Sequence, residues 1–230
     1  MRGGYCGCMR YGTVNFEYAA DLAGREPAAD GPIFMVNFMK YRAVADYVRG
    51  EGAPASAEIS GMEADDKYAP TEVLADIGAD VAFFGRIVAQ GDDGEWDRMG
   101  IVRYPTRRSF IEMQSRRDFK EKHVHKEAGM DYTIVCGALP VAGHQAIERR
   151  NHVTFRLAAG PTEVQPSATQ AVLAIEGTIL GDGRSWNHLV MSWSDEVPAV
   201  PGLSRGGDQM VVVAHAEIDR MGKLLTSPGT

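Results

Sequence analysis

Hydrophobic and polar residues alternate with a period of two along four stretches of the first 140 positions. This is the pattern of β-strands whose two faces meet different surroundings. In the first, Ile33–Tyr41, one face carries Phe34, Val36, Phe38 and Lys40, and the other Ile33, Met35, Asn37, Met39 and Tyr41. The first face is apolar almost to its end and predicts packing beneath helices. The second mixes an amide and a phenol with methionines and predicts the lining of a partly polar space. Residues 81–90, 96–104 and 132–139 give three further strands, the first two joined by the turn Gly91-Asp92-Asp93-Gly94. Between the strands the period lengthens. Residues 66–77 predict a helix with Pro70 near its start, Val73, Leu74 and Ile77 on one side and Gly78 to stop it. Thr106 predicts the cap of a second helix that runs to about Lys122, with Phe110, Ile111 and Phe119 set among Arg107, Arg108, Arg116 and Arg117. The order is β-α-β-β-α-β, the split βαβ or ferredoxin-like arrangement.

The rest of the chain repeats this order in weaker form. Strands are predicted at 151–157, 172–180, 185–193 and 209–215. Gly85-Arg86-Ile87-Val88 leads through an acidic turn to Trp96-Asp97-Arg98-Met99, and Gly177-Thr178-Ile179-Leu180 leads through Gly181-Asp182-Gly183 to Trp186-Asn187-His188-Leu189. Helices do not recur: 161–170 is interrupted by Pro166, and 194–207 holds Pro198 and Pro201. The expected organisation is an irregular segment at 1–31 containing a short helix over 14–22, a ferredoxin-like α+β domain at 32–140, a linker at 141–150 and a degenerate second unit at 151–230. The expected fold is α+β, two tandem βαββαβ units packed sheet to sheet.

Composition removes function classes without naming one. With 44% hydrophobic and 24% charged residues the chain is globular, and its formal charge of −7 argues against non-specific binding to nucleic acid or to an anionic membrane. No apolar run is long enough to span a bilayer, and no signal peptide is legible. The three cysteines, Cys6, Cys8 and Cys136, make no disulfide framework, so a reducing cytoplasm is expected. Phosphate-binding and dinucleotide-binding glycine loops, His-Glu-x-x-His and the Gly-x-Ser-x-Gly elbow are all missing from the sequence, which disfavours ATP-dependent, NAD-linked and serine-hydrolase chemistry.

Residues 32–140 resemble the dimeric α+β-barrel superfamily of ferredoxin-like proteins, and within it a group of small, functionally uncharacterised domains. The resemblance rests on Phe34 to Tyr41, Lys67-Tyr68-Ala69-Pro70, Gly85, Trp96-Asp97-Arg98, Tyr104-Pro105-Thr106, Phe110, and Phe119 through Gly129. It implies that two sheets bury their bare faces against each other, here within one chain, and enclose a site for a small molecule. Known members of the superfamily include cofactor-free monooxygenases, cyclases, isomerases and haem enzymes. What it implies for this chain is a small-molecule-acting protein, a cofactor-independent enzyme with a polar pocket between the sheets. The alternative is a non-catalytic ligand-binding or interaction protein on the same scaffold. A homodimer is an allowed assembly.

Candidate chemistry follows from strand parity. Asp97 and Arg103 share one face of the third strand and could serve as base and oxyanion holder, in a pocket shared with Asn37 and Tyr41. The plainer reading gives Asp97 to turn amides and Arg103 to a structural ion pair. His123 and His125, placed where the second helix frays, could move protons; the plainer reading makes them surface residues at a helix end. Tyr68 and His123 are expected at the pocket rim, Trp96 beside it, and His188 facing the same space from the second unit. Neither the histidines nor Cys6-x-Cys8 completes a metal set, so no metal, haem or other cofactor is expected.

Overall fold

The computed structural model describes residues 8–9, 11–47, 58–91, 96–200 and 207–226. Cys6, the turn residues Asp92, Asp93 and Gly94, and Pro201 lie outside the described residues. The strands are β1 (Cys8–Met9), β2 (Gly12–Val14), β3 (Ile33–Tyr41), β4 (Asp80–Gln90), β5 (Arg98–Tyr104), β6 (Met130–Pro140), β7 (His152–Ala158), β8 (Gln170–Gly181), β9 (His188–Ser194) and β10 (Gln209–Asp219). The helices are α1 (Phe16–Gly24), α2 (Gly61–Tyr68), α3 (Thr71–Asp76), α4 (Arg107–Met113), α5 (Arg117–Gly129) and α6 (Met221–Thr226).

Eight strands close into one antiparallel barrel in the order β8-β6-β3-β5-β4-β10-β7-β9, with β9 returning to β8. Outside the ring, β2 pairs with β8 and β1 with β2. This corrects the expected pair of ferredoxin-like α+β units packed sheet to sheet, and with it the dimeric α+β-barrel architecture implied by the resemblance. The edge strands of the two halves hydrogen-bond to each other, β4 to β10 and β6 to β8, so the halves form a single continuous sheet. The physical reason is that an open edge exposes a row of backbone N–H and C=O groups, and closing the ring satisfies them. Helices are few. Among the described residues none lies between β7 and β8, where Pro161 and Pro166 fall, or between β9 and β10, where Pro198 falls. None is long and apolar enough to cross a membrane. The segment before residue 32, expected to be irregular apart from a short helix over 14–22, supplies that helix as α1 and also the strands β1 and β2.

The two faces of β3 are also reversed from expectation. Phe34, Val36 and Phe38 point into the barrel with Phe83, Met99, Ile101, Ile134, Phe155, Leu157 and Met191, all fully buried or nearly so. Phe83 and Phe155 meet edge to face at 4.9 Å across the interior. Met221 and Leu225 of α6 join the same cluster. The mixed face, Ile33, Met35, Met39 and Tyr41, lies under the helices with Leu22, Phe110 and Phe119. An interior closed on all sides is the drier place and takes the purely apolar face. The helix layer brings acids and bases, so it satisfies the Tyr41 phenol, and it leaves the Asn37 amide on a cavity wall.

On the outer surface, Tyr18 of α1 lies flat on the sheet where Gly137 of β6 pairs with Gly177 of β8. A Cβ at Gly137 would meet its hydroxyl at 2.1 Å, and one at Gly177 its ring at 2.8 Å. Its hydroxyl donates to Glu176 at 3.1 Å, and Arg107 grips the same carboxylate through Nε at 2.8 Å and Nη2 at 2.5 Å. One ring and one ion pair thus fasten α1 and α4 to β8.

Candidate functional site in the helix layer

Between α5 and the outer face of β3 and β6 lies a cavity of about 410 Å³. Ligand sites commonly occupy ~300–1,000 Å³. Its wall is mostly apolar, with Val14, Phe110, Ile111, Met113, Phe119, Val135, Ile179 and Leu180. The polar groups on it are Tyr11, Asn37, Tyr68, Tyr104, Gln114, His123, Lys126 and Thr133. Phe16, also on the wall, is 64% exposed.

Local sequence positions each wall. A capping box starts α2: Glu63 N–H donates to Ser60 Oγ at 3.2 Å, and Ser60 N–H donates to Glu63 Oε2 at 2.8 Å. A second capping box, Thr106 with Ser109, starts α4. The helix expected over 66–77 is two, α2 and α3, broken at Ala69-Pro70. The helix expected from Thr106 to Lys122 is also two, α4 and α5, and α5 continues to Gly129. His123 therefore sits within a helix. Phe119, His123 and Lys126 fall at i, i+4 and i+7 and face the sheet together, while His125 lies beside Tyr47, with Nδ1 and the hydroxyl 2.8 Å apart. The α2–α5 crossing is backbone on backbone: a Cβ at Gly61 would sit 2.3 Å from the Gly129 carbonyl oxygen.

His123 is the best-defined polar group. Its ring stacks on Phe119 at 5.1 Å and meets Tyr68 edge-on at 5.9 Å. Its Nε2 and the Tyr11 hydroxyl are 3.1 Å apart, and its Nδ1 is buried with no hydrogen-bond partner. Burial, with help from the Lys126 charge, lowers its pKa from 6.5 to about 4. Burial, and then the Glu127 charge, raises the Tyr11 phenol. The pair is thus a neutral imidazole beside a neutral phenol. The unfolded imidazole takes a proton near its ordinary pKa and the folded one only near about 4, so His123 withdraws stability as pH falls from about 6.5 to about 4. His123→Gln is expected to flatten this part of the pH dependence, read from urea midpoints across that range; an unchanged slope would show that the imidazole titrates freely in the folded state.

Asn37 is the second group of interest. It lines the cavity, and its Oδ1 is buried and unpartnered. Behind it, the Tyr41 hydroxyl donates to Asp65 at 2.5 Å, and Arg98 reaches Asp66 at 2.6 Å and Asp65 at 3.8 Å. Burial raises the Tyr41 phenol and, against Lys126, Tyr41 and Arg98, the Asp65 carboxyl as well.

Of the residues singled out from sequence, the structure brings Asn37, Tyr68 and His123 together and separates the rest. Register explains why: Phe38 pairs with Met99 and Phe34 with Arg103, so the parity of Asp97, Met99, Ile101 and Arg103 belongs to the barrel side, opposite Asn37 and Tyr41. The Asp97 carboxylate instead accepts the Tyr41 N–H at 2.7 Å. Tyr41 serves the Asp65 network, and Trp96 packs in the barrel on Phe38 at 5.9 Å. The space between sheets that Asp97 and Arg103 were expected to furnish is filled by core side chains. His188 lies on the far outer face, in a separate groove of about 240 Å³ with Thr154, Arg156, Gln170 and Ser192. Tyr11 and Lys126 were missed. Only the spacing 119, 123, 126 could have pointed to Lys126, and Tyr11 lies in a segment without a readable period. Among the described residues no three His, Cys, Asp or Glu side chains converge as metal ligands.

Fold and site together define an antiparallel β-barrel with a ligand-sized, helix-roofed cavity on its outer face. No family model and no curated protein matches the chain. Two similar solved structures are the crystal structure of methylated RPA0582 protein and that of RPA0582, a protein of unknown function from Rhodopseudomonas palustris and a structural genomics target. The first is 24% identical over 61% of this chain and 99% of its own, with a TM-score of 0.47. The second is 25% identical over 56% of this chain and 95% of its own, with a TM-score of 0.46.

Proposed function

We propose that the chain binds a small carbonyl or phenolic compound in the cavity beneath α5 and acts on it with its own side chains. The observation that carries this is the pairing of an apolar, ligand-sized cavity with two wall residues, Asn37 and His123, that each hold a buried polar atom without a partner. Each unmade hydrogen bond costs about 1–3 kcal/mol, which a ligand with one hydrophobic body and a few polar atoms would recover. Asn37 Oδ1 asks for a donor such as a hydroxyl. A neutral imidazole held by Tyr11 can present its remaining ring nitrogen to a carbonyl oxygen or a hydroxyl, polarising it without carrying a full charge. The exposed Phe16 ring at the cavity supports an apolar ligand. A reducing compartment, the cytoplasm, fits the buried free thiol of Cys136.

Binding is expected to raise the unfolding temperature of the wild-type protein in a screen of small aromatic carbonyl and phenolic compounds. Val135→Phe, which fills the cavity from β6, should abolish that rise. Hydrogen–deuterium exchange at the carbon next to the carbonyl, followed by NMR in D₂O, tests turnover, and His123→Phe should suppress it. Binding without exchange would favour a carrier or sensor. A Val135→Phe protein that binds as well as wild type would place the ligand elsewhere and end this reading.

A further inference from the structure

One amine in the cavity has no part in the reading above. Lys126 completes the α5 stripe of Phe119 and His123, and it lines the cavity wall. Its ammonium lies 5.2 Å from the centre of the Tyr68 ring. Among the described residues it makes no hydrogen bond or ion pair. The acid that acts on it, Asp65, already accepts the Tyr41 hydroxyl at 2.5 Å and lies 3.8 Å from Arg98. The Tyr68 ring favours the ammonium form, and burial opposes it. Burial lowers its pKa, and Asp65 only partly opposes this. An amine whose proton is held less tightly than usual, on the wall of an apolar chamber, is a better nucleophile than a surface lysine.

We propose that Lys126 forms an imine with a small aldehyde or ketone held in this cavity, with His123 at the carbonyl oxygen. The inference rests on reading the cavity as a carbonyl site. The Lys126 nitrogen lone pair forms the C–N bond while the carbonyl π pair moves to oxygen. The nitrogen loses a proton and the oxygen gains one, giving the carbinolamine. Departure of the hydroxyl as water, with loss of the second nitrogen proton, gives the imine. One water is released, and nothing is oxidised or reduced. The protonated imine then withdraws electrons from the neighbouring carbon and eases removal of its proton.

The test is reductive trapping of full-length protein with benzaldehyde and cyanoborohydride near neutral pH, followed by peptide mapping. Lys126 is expected to be benzylated faster than the exposed Lys67 and Lys120 by about tenfold or more, because a bound aldehyde meets only that amine. Labelling of Lys126 no faster than of Lys67 and Lys120 overturns the proposal. Lys126→Arg keeps the charge and much of the stem but cannot form the imine, so it guards against a loss of fold that Lys126→Met could bring. If benzaldehyde raises the unfolding temperature of wild type and Lys126→Arg alike while Lys126 stays unlabelled, the cavity reading stands and the imine falls. If there is neither stabilisation nor labelling, both fall.

Discussion

Gly129→Ala is expected to cost about 3 kcal/mol of stability and to disable ligand binding in the cavity, the high end of what overpacking a tight contact does. The new methyl group would sit 2.3 Å from the Gly61 carbonyl oxygen and 3.1 Å from the Ala64 Cβ. Backbone on the far side cannot rotate away as a side chain can, so α2 must move off α5. Arg42 sits at the same crossing: its N–H donates to the Gly129 carbonyl at 2.9 Å, its carbonyl accepts from Gly61 at 2.9 Å, and its guanidinium reaches the Glu127 carbonyl at 3.1 Å. Because α2 carries Tyr68 and Asp65 while α5 carries His123 and Lys126, a shift here changes the cavity directly. Gly24→Ala, at the end of α1 with nothing within 4 Å of the added carbon, is the control and should be neutral or slightly stabilising. Urea denaturation of both variants decides the matter. Equal midpoints would mean that the crossing is loose.

Arg107→Met is expected to cost about 3 kcal/mol, the low end for breaking a buried pair, because Glu176 keeps 16% side-chain exposure. Burial alone would raise the Glu176 carboxyl; the hydrogen bonds and charge of Arg107 outweigh it and hold the group below its ordinary 4.5. A carboxylate depressed in the folded state contributes stability that is whole above the ordinary value and lost as pH falls through the folded one. The gap between wild type and Arg107→Met should therefore narrow as pH falls through and below about 4.5, the more so because burial raises the carboxyl once the arginine is gone. Adding Glu176→Gln, which leaves Tyr18 an acceptor, should recover part of the loss, since no uncompensated charge remains. A gap independent of pH would assign the loss to packing of the arginine stem.

The eight barrel strands were legible from alternation in the first half and from apolar runs bounded by turn residues in the second. Ring closure was not: alternation tells which face of a strand is dry, while edge pairing is written in backbone groups that every residue carries. The reversal of the β3 faces has a related cause, since Phe34, Val36 and Phe38 suit a helix underside and a barrel interior equally. In the site, Asn37, Tyr68 and His123 were found by chemistry, while Asp97 and Arg103 were misplaced by one step of parity between paired strands. His123 was read as lying at a fraying end because α5 was stopped at Lys122. Lys126 was invisible for a simpler reason: a lysine in a helix with mostly charged neighbours reads as solvent-facing until the helix is seen against its sheet.

The two seams of the barrel join strands far apart in the sequence, β4 with β10 and β6 with β8. The β4–β10 seam cannot form until the last strand has been made, so ring closure is a high-contact-order step and slows folding. During synthesis the first half emerges with β4 and β6 unpaired on their outer edges, and it stays a template for wrong pairing until β8 and β10 arrive. The second half, which gives the cavity only Ile179 and Leu180 of β8, thereby acts as an intramolecular chaperone for the part of the chain that supplies the rest of the wall.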